Sequence, residues 1–391
     1  MTHSSGKSSL TAAAKSAVPL LDLHRQYASL RRQVLAAVER VCASQQFILG
    51  AEVEALENEI AAFTGAAAAV GCASGTDALW LALVAAGVQP GDAVLTTPFS
   101  FFASASSIVR AGARPVFADI DPQTLNLDPT RVRGKLEAGG SHRVTALLPV
   151  HLYGQCADMD ALRKLAEEFR LALIEDAAQA IGARWKSERA GSLGVAAAFS
   201  FYPTKNLSAY GDAGVVTATQ PELAERMRRL RNHGSPRRYL HEEFGWNCRL
   251  DAIQAAILRV KLPYVEEWNQ KRRERAANYD RLFSAAGLAD AGAPLVLPHS
   301  DARAHHIFHQ YVVRAQKRDD LRAFLAERNI GSEVYYPIPL HLQPCFAYLG
   351  YREGDLPEAE RAAKEVLALP MFPELTAEEQ RQVVDTIAEL Y

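Results

Sequence analysis

Cysteine is scarce and unpatterned in this chain. The five cysteines, Cys42, Cys72, Cys156, Cys248 and Cys345, are an odd number, widely spread and without a C-x-x-C pair. That excludes a disulfide framework and a cysteine zinc site, so no metal is expected and the thiols read as reduced, cytoplasmic ones. Long apolar runs are missing too: no stretch reaches eighteen residues and no apolar signal core follows Met1, so neither a membrane span nor secretion is expected. No excess of one charge exists. Forty-three Lys and Arg against 45 Asp and Glu leave a net charge of −2, which gives no field to draw nucleic acid or an acidic membrane, and no nucleic-acid motif is present. The nearest approach to G-x-G-x-x-G, Gly71-Cys72-Ala73-Ser74-Gly75, lacks the spacing, which removes a nicotinamide dehydrogenase. Repeats are absent, and bias is confined to the Ser/Ala-rich residues 1–17, expected to be a disordered tail.

What remains is an ordinary globular composition, 49% hydrophobic and 23% charged over 391 residues, enough for two domains with a substantial core. Short apolar runs at 93–96, 114–118, 145–150, 172–174, 196–201 and 214–218 alternate with helical stretches such as 161–170. This alternation predicts an α/β fold with a mainly parallel sheet covered by helices on both faces. Helices are expected at 221–231 and 250–261. A large domain over 18–261 is then followed by a smaller C-terminal α/β domain over 262–391, with a strand near 309–313 and a helix near 319–328.

Three places carry chemistry. In Ser200-Phe201-Tyr202-Pro203-Thr204-Lys205-Asn206, a lysine stands among hydroxyl and amide side chains straight after an apolar run. An amine forms an imine with an aldehyde only when unprotonated, and a partly dry pocket lowers its pKa, so Lys205 reads as a Schiff-base lysine. Twenty-nine residues upstream, Asp176 ends the run that starts at Leu171, where open α/β sheets bind ligands. Its carboxylate suits the protonated ring nitrogen of pyridoxal phosphate; the cap of a short helix starting at Ala177 is the alternative. Further upstream, Ser74-Gly75-Thr76-Asp77 lies between the strand-like 69–73 and an apolar helical run, an arrangement that offers free N–H groups to a phosphate or serves as a plain helix cap.

Phosphate turn, acid and lysine in this order resemble the fold-type I pyridoxal-phosphate enzymes, and among them the DegT/DnrJ/EryC1/StrS sugar aminotransferase family. The resemblance is nearly full length, from Val18-Pro19-Leu20-Leu21-Asp22-Leu23 through Pro149-Val150-His151-Leu152-Tyr153-Gly154 and Asn247-Cys248-Arg249-Leu250-Asp251 to Ala368-Leu369-Pro370-Met371-Phe372-Pro373. It implies an aspartate-aminotransferase-like fold and pyridoxal 5'-phosphate as cofactor. By resemblance, Lys205 holds the cofactor and moves protons, Asp176 pairs with the ring nitrogen, Gln179 lies near the ring hydroxyl and Ala178 packs under the ring. Phe101 stacks on the other face, with Phe99, Phe102 or simple core packing as alternatives. Gly75, Thr76 and Ser200 hold the phosphate. Asn247 reaches the phosphate from the neighbouring subunit, which implies a homodimer with shared active sites; a loop-stabilising asparagine is the alternative.

Two further clusters are candidates for substrate contact. Arg226, Arg228, Arg229 and Arg231 read as a solvated helix, whereas Arg237, Arg238, Tyr239 and His241 lead toward Asn247 and suit a nucleotide diphosphate. Tyr335-Tyr336-Pro337-Ile338-Pro339-Leu340-His341 resembles the loop that closes over the site in nucleotide-sugar members; Tyr335 and His341 are its candidate ligands, with an idle surface histidine as the alternative. The resemblance therefore implies amino transfer from L-glutamate to a nucleotide-linked 3-keto or 4-keto sugar. A carbocyclic ketone, an inosose or an aminohydroxybenzoate precursor, is a second substrate class. A non-catalytic regulatory homologue is a third reading, against which Lys205, Asp176 and Ser200 weigh together. Relatives that dehydrate sugars carry histidine at the lysine position, so Lys205 favours transamination.

Overall fold

The computed structural model describes residues 17–140, 142–290 and 292–391, so most of the expected tail lies outside the described residues. The short apolar runs become strands: β1 (Ala68–Cys72), β2 (Ala93–Thr96), β3 (Arg114–Phe117), β4 (Val144–Leu148), β5 (Ala172–Asp176), β6 (Arg184–Trp185), β7 (Glu188–Arg189), β8 (Ala196–Ser200) and β9 (Gly214–Ala218). Among the described residues the main sheet has the order β1-β9-β8-β5-β4-β2-β3. Every pairing from β8 to β3 is parallel, and β9 runs antiparallel between β1 and β8. The expected α/β fold is present.

Alternate residues of one strand feed opposite faces, as the two-residue period of a strand requires. Leu95, Leu147, Leu173, Ala197, Phe199 and Val215 join one cluster, and Val94, Leu148, Ile174, Ala196, Ala198 and Val216 the other. The first face is covered by α2 (Ala51–Thr64), α5 (Pro129–Ala138), α6 (Met159–Phe169) and α8 (Ala252–Lys261); the second by α3 (Gly75–Ala85), α4 (Ala103–Arg110) and α7 (Pro221–Leu230). A sheet buried on both sides needs apolar residues at nearly every position, which is why these strands read as continuous runs.

Helix α9 (Val265–Ala285) leads to the C-terminal region, where β10 (Leu295–Val296), β12 (Tyr311–Ala315) and β13 (Val366–Leu369) form a second, antiparallel sheet, and β11 (Ala304–His305) pairs with β6. Helices α10 (Arg318–Glu327), α11 (Pro357–Glu365) and α12 (Ala377–Ala388) complete it. Val18 packs here as well: its N–H donates to Asn329 O at 3.0 Å and its carbonyl accepts from Gly331 N at 2.8 Å. The core of this region also takes in Phe99, Val150 and Tyr153 from loops at the carboxyl ends of the main-sheet strands. Those loops are thereby pinned from both sides.

Candidate active site

The strand order explains why Ser74 and Ser200 meet. Gly214, the first residue of β9, pairs with Cys72 on one side and Ser200 on the other. The turn after β1 therefore lies against the end of β8. Ser74 caps α3, its Oγ accepting from Asp77 N at 3.1 Å and donating to Asp77 Oδ2 at 2.9 Å. A Cβ on Gly75 would fall 2.6 Å from Ser200 Cβ, and one on Gly214 2.3 Å from Ser74 O, so only glycine permits this approach at either position. The first N–H groups of α3, at Gly75 and Thr76, have no intrahelical acceptor and share the cradle with the Ser200 hydroxyl. Ser74 is the cap, and Gly75, Thr76 and Ser200 meet beside it.

Asp176 ends β5 and is buried. Its Oδ2 accepts from Ser104 Oγ at 2.7 Å, and Ser104 Oγ in turn shares a hydrogen bond with Ser100 Oγ at 2.8 Å. Its Oδ1 accepts from Ala178 N at 3.2 Å. No helix begins at Ala177, contrary to the capping alternative, because the Ala177 N–H is taken by Ala198 O at 2.9 Å and prolongs the sheet ladder. Burial raises the Asp176 pKa, opposed by those two hydrogen bonds and by the charge of Lys205. The neighbouring Glu175 points the other way and is fully engaged by His151 Nε2 and the N–H groups of Gly191, Leu193 and Gly194. Since His151 Nδ1 accepts from Ala157 N at 3.2 Å, its proton sits on Nε2.

Lys205 follows β8 in a tight turn closed by its own N–H to Tyr202 O at 2.8 Å. Its side chain is half-buried, and desolvation lowers its pKa to about 8 against the opposing pull of Asp176. An amine of this kind is unprotonated in a useful fraction near neutral pH.

Around these two groups the structure separates the three phenylalanines. Phe99 is core, Phe102 packs against Phe346 with ring centroids 5.5 Å apart, and Phe101 is 59% exposed with Tyr336 at 6.3 Å. Phe101 is the most exposed of the three, Phe102 being 43% exposed but turned onto Phe346. Gln179 accepts from Tyr153 N at 2.6 Å and donates to Tyr336 Oη at 3.1 Å, which leaves one amide hydrogen uncommitted. Ala178 is half-buried beside Asp176. Tyr335 is engaged through its backbone, its carbonyl accepting from the Tyr153 hydroxyl. Tyr336, with a pKa raised by burial and by the charge of Asp176, is drawn into the site more deeply than its sequence neighbours indicated.

Other expected ligands lie elsewhere in the protomer. His341 is withdrawn from the expected sugar contact and is no surface histidine either: it is buried, 3.1 Å from Glu360 through Nε2, under a segment clamped to β3 by Tyr351. Asn247 is exposed in an open depression shared with Ala73 and Asp212, and its backbone bridges that of Asn232. Arg237 is exposed and Tyr239 is 83% exposed, on the same projecting segment as Asn247. Arg226 and Arg229 pair with Glu243, Arg228 with Glu225, and Arg231 with Glu57 and Gly71 O, so these four arginines hold structure. Ser104 was not foreseen. Its only sequence signal is that it falls three residues beyond Phe101.

The residues present fit pyridoxal phosphate. A buried carboxylate with no cation in contact among the described residues stands ready for a protonated ring nitrogen, a part-dry amine lies within its field, and a glycine-tight turn suits a phosphate beside the Ser200 hydroxyl, whose oxygen accepts from Tyr202 N at 3.4 Å and whose proton is left to donate.

The profile of the DegT/DnrJ/EryC1/StrS aminotransferase family matches residues 28–388. A Geobacillus stearothermophilus protein named Pleiotropic regulatory protein is 53% identical over 96% of this chain and 98% of its own. A Streptomyces venezuelae dTDP-3-amino-3,4,6-trideoxy-alpha-D-glucose transaminase is 45% identical over 95% of this chain and 96% of its own. Among solved structures, S. venezuelae DesV superposes with a TM-score of 0.91 at 44% identity, covering 96% of this chain and 98% of that one.

Proposed function

This chain belongs to the DegT/DnrJ/EryC1/StrS aminotransferase family, and on that premise we propose that it transfers the amino group of L-glutamate to carbon 3 of a nucleotide-linked keto sugar. It is a pyridoxal-phosphate enzyme. The observation that carries the catalytic part is the meeting of Lys205, with its lowered pKa, and the buried Asp176 at the carboxyl end of a parallel sheet. The name of the S. venezuelae transaminase supports a 3-amino product. The regulatory name of the G. stearothermophilus relative belongs to that protein; the amine, the carboxylate and the anion cradle support catalysis here.

When bound, the cofactor supplies an electrophilic carbon to carry the amino group and a ring to delocalise negative charge. The chain's residues do the rest. Lys205 would take the proton from the α-carbon of glutamate in the first half, and in the second would work in reverse, delivering a proton to the sugar carbon that gains the amino group. Asp176 keeps the ring nitrogen protonated. Gly75 N, Thr76 N and Ser200 Oγ would hold the phosphate, Phe101 and Ala178 would pack against the ring, and Gln179 would offer its spare hydrogen to the ring hydroxyl. Residues 18–261 form the cofactor domain and 262–391 the smaller domain that closes on it. No helix among the described residues is long and apolar enough to cross a membrane, and a cytoplasmic homodimer is the assembly proposed.

Protein carrying the amino form of the cofactor, mixed with a panel of dTDP- and UDP-linked sugars bearing a 3-keto or 4-keto group and with inososes, is expected to regain the visible absorbance of the aldehyde form only with a 3-keto nucleotide sugar. A response to 4-keto sugars alone moves the ring position, and a response to inosose alone replaces the substrate class.

The dimer has its own test. If Asn247 closes the phosphate site of the partner subunit, mixing Lys205→Ala and Asn247→Asp chains creates heterodimers with one doubly damaged site and one intact site. A carboxylate at 247 repels the phosphate of that opposite site alone. Activity should return to about a quarter of wild type for random pairing of symmetric dimers. Demonstrated heterodimers without recovery would place Asn247 in its own subunit's site, beside Ala73 and Asp212.

A further inference from the structure

Lys205 stands on the turn after β8 and Asp176 at the end of β5, and a buried side chain from a third element ties together the loops that follow them. Asn269, on α9, is 1% exposed. Its Oδ1 accepts from Asn206 Nδ2 at 2.8 Å, next to Lys205 in the chain, and its Nδ2 donates to Ile181 O at 2.9 Å, in the second of the two turns that follow Asp176. A Cβ on Gly182 would lie 2.5 Å from Asn269 Nδ2, so the chain leaves out a side chain where this amide must enter. From the C-terminal region, His309 Nδ1 lies 2.9 Å from Asn206 Oδ1. The donors then run one way, from His309 to Asn206 to Asn269 to Ile181 O, which places the His309 proton on Nδ1. Arg272, one turn beyond Asn269, anchors that end: its Nη1 reaches the carbonyls of Phe308, His309 and Met371 at 3.3, 3.0 and 3.1 Å.

We propose that Asn269, with His309 fixing Asn206 from the C-terminal region, is a positioning residue that sets Lys205 against Asp176. The proposal rests on the catalytic reading of Lys205 given above. Asn269 touches neither the amine nor the carboxylate. It holds both loops through a single planar amide, so neither can shift without breaking a bond to the other. Hydrogen bonds aligned head to tail strengthen one another in a dry interior, which suits a spacer more than isolated contacts would.

Burial lowers the pKa of the Lys205 amine and Asp176 from β5 opposes that; Lys205 and Arg272 from α9 act in turn on the ring of His309, His151 acts on Asp176, and Asp176 on Tyr336. His309 stays neutral because burial and the nearby cations push its pKa well down. Loosening the Asn206 loop should admit water to Lys205 and raise its pKa from about 8 toward the free value of 10.5.

The test compares Asn269→Ala, Asn269→Asp, His309→Leu and His309→Asn in the full-length enzyme. The aspartate keeps the acceptor for Asn206 but sets a carboxylate against Ile181 O, and the asparagine at 309 keeps a donor near the Nδ1 position. Turnover, KM for both substrates, thermal unfolding and the pH midpoint of Lys205 amine labelling in cofactor-free protein are measured together. Asn269→Ala, Asn269→Asp and His309→Leu are expected to lower kcat by about 10- to 100-fold, the scale of a small misplacement of a catalytic group, with KM little changed. The labelling midpoint should rise in all three, and His309→Asn should recover most of both. Folded variants with an unmoved labelling midpoint overturn the proposal, even if kcat falls along with thermal stability. Should Asn269 variants fail to fold, the His309 pair decides by the same readout. Failure of the underlying reading shows itself separately, as turnover by Lys205→Ala.

Discussion

Lys205→Ala is expected to leave the chain folded and to lower amino transfer by about four orders of magnitude or more, since both covalent attachment and proton movement depend on one amine. The fold should tolerate it because the side chain is only half-buried and its charge is held at a cost: burial lowers its pKa to about 8, and Asp176 only partly offsets that. Removing the amine therefore removes an unfavourable charge along with a few packed methylenes. Steady-state assays with glutamate and keto sugar, set beside thermal unfolding and cofactor content, check the result. Transamination of both substrates at more than a hundredth of the wild-type rate in a folded variant would end the assignment.

The same amine leaves a mark on stability. Its pKa is lower in the folded chain, about 8, than in the unfolded chain, 10.5, so between these values the unfolded state binds more protons and stability rises with pH. Below about 8 both states are protonated and the burial penalty is full; above 10.5 it is gone. Unfolding of cofactor-free wild type should thus gain stability across that window relative to Lys205→Ala. Parallel curves for the two proteins would show that Lys205 is solvated.

How far the sequence reveals this site depends on what each residue answers to. The strands are legible because a sheet covered on both faces demands apolar residues at successive positions, as in Ala93–Thr96 and Gly214–Ala218. Lys205 and Asp176 are legible from their place at strand ends and from their neighbours. Residues whose roles are set by distant partners are not. Asp176-Ala177-Ala178-Gln179-Ala180 favours a helix on local propensity, yet the Ala177 N–H bonds to Ala198 in β8 and the chain turns instead. His341 looks like a loop histidine, but its segment is fastened to the sheet edge: Phe117 N donates to Tyr351 Oη at 2.9 Å and Arg114 Nη2 to Leu349 O at 3.1 Å, and burial follows from those contacts. Asn269 and His309 carry no local signal, because each acts on the lysine loop from far along the chain. Asn247 and Tyr239 stand exposed, and the role proposed for Asn247 rests on a second copy of the chain that local sequence does not describe.

Asp176→Asn separates the electronic role of this carboxylate from its place in the packing. The amide is nearly isosteric, and Ser104 and Ala178, which bond the two oxygens at 2.7 and 3.2 Å, can be met by a suitably turned amide at this position because the Ser104 hydroxyl both donates and accepts. Fold and cofactor content should therefore survive. The negative charge does not. Breaking a buried charge pair costs about 3–5 kcal/mol, and at 1.36 kcal/mol per tenfold change this corresponds to a fall in rate of about 10²- to 10⁴-fold. Both half-reactions should slow together, since each needs the ring nitrogen protonated while a proton leaves carbon. A second effect has a definite sign: Asp176 holds the Lys205 pKa up, so its loss should move the Lys205 labelling midpoint below about 8. Single-turnover rates with each substrate, together with that midpoint, give the answer. Near-normal rates would leave Asp176 as a carboxylate that Ser104 and Ala178 hold for packing alone, whereas slowed rates with a lowered lysine pKa would tie both effects to the one charge.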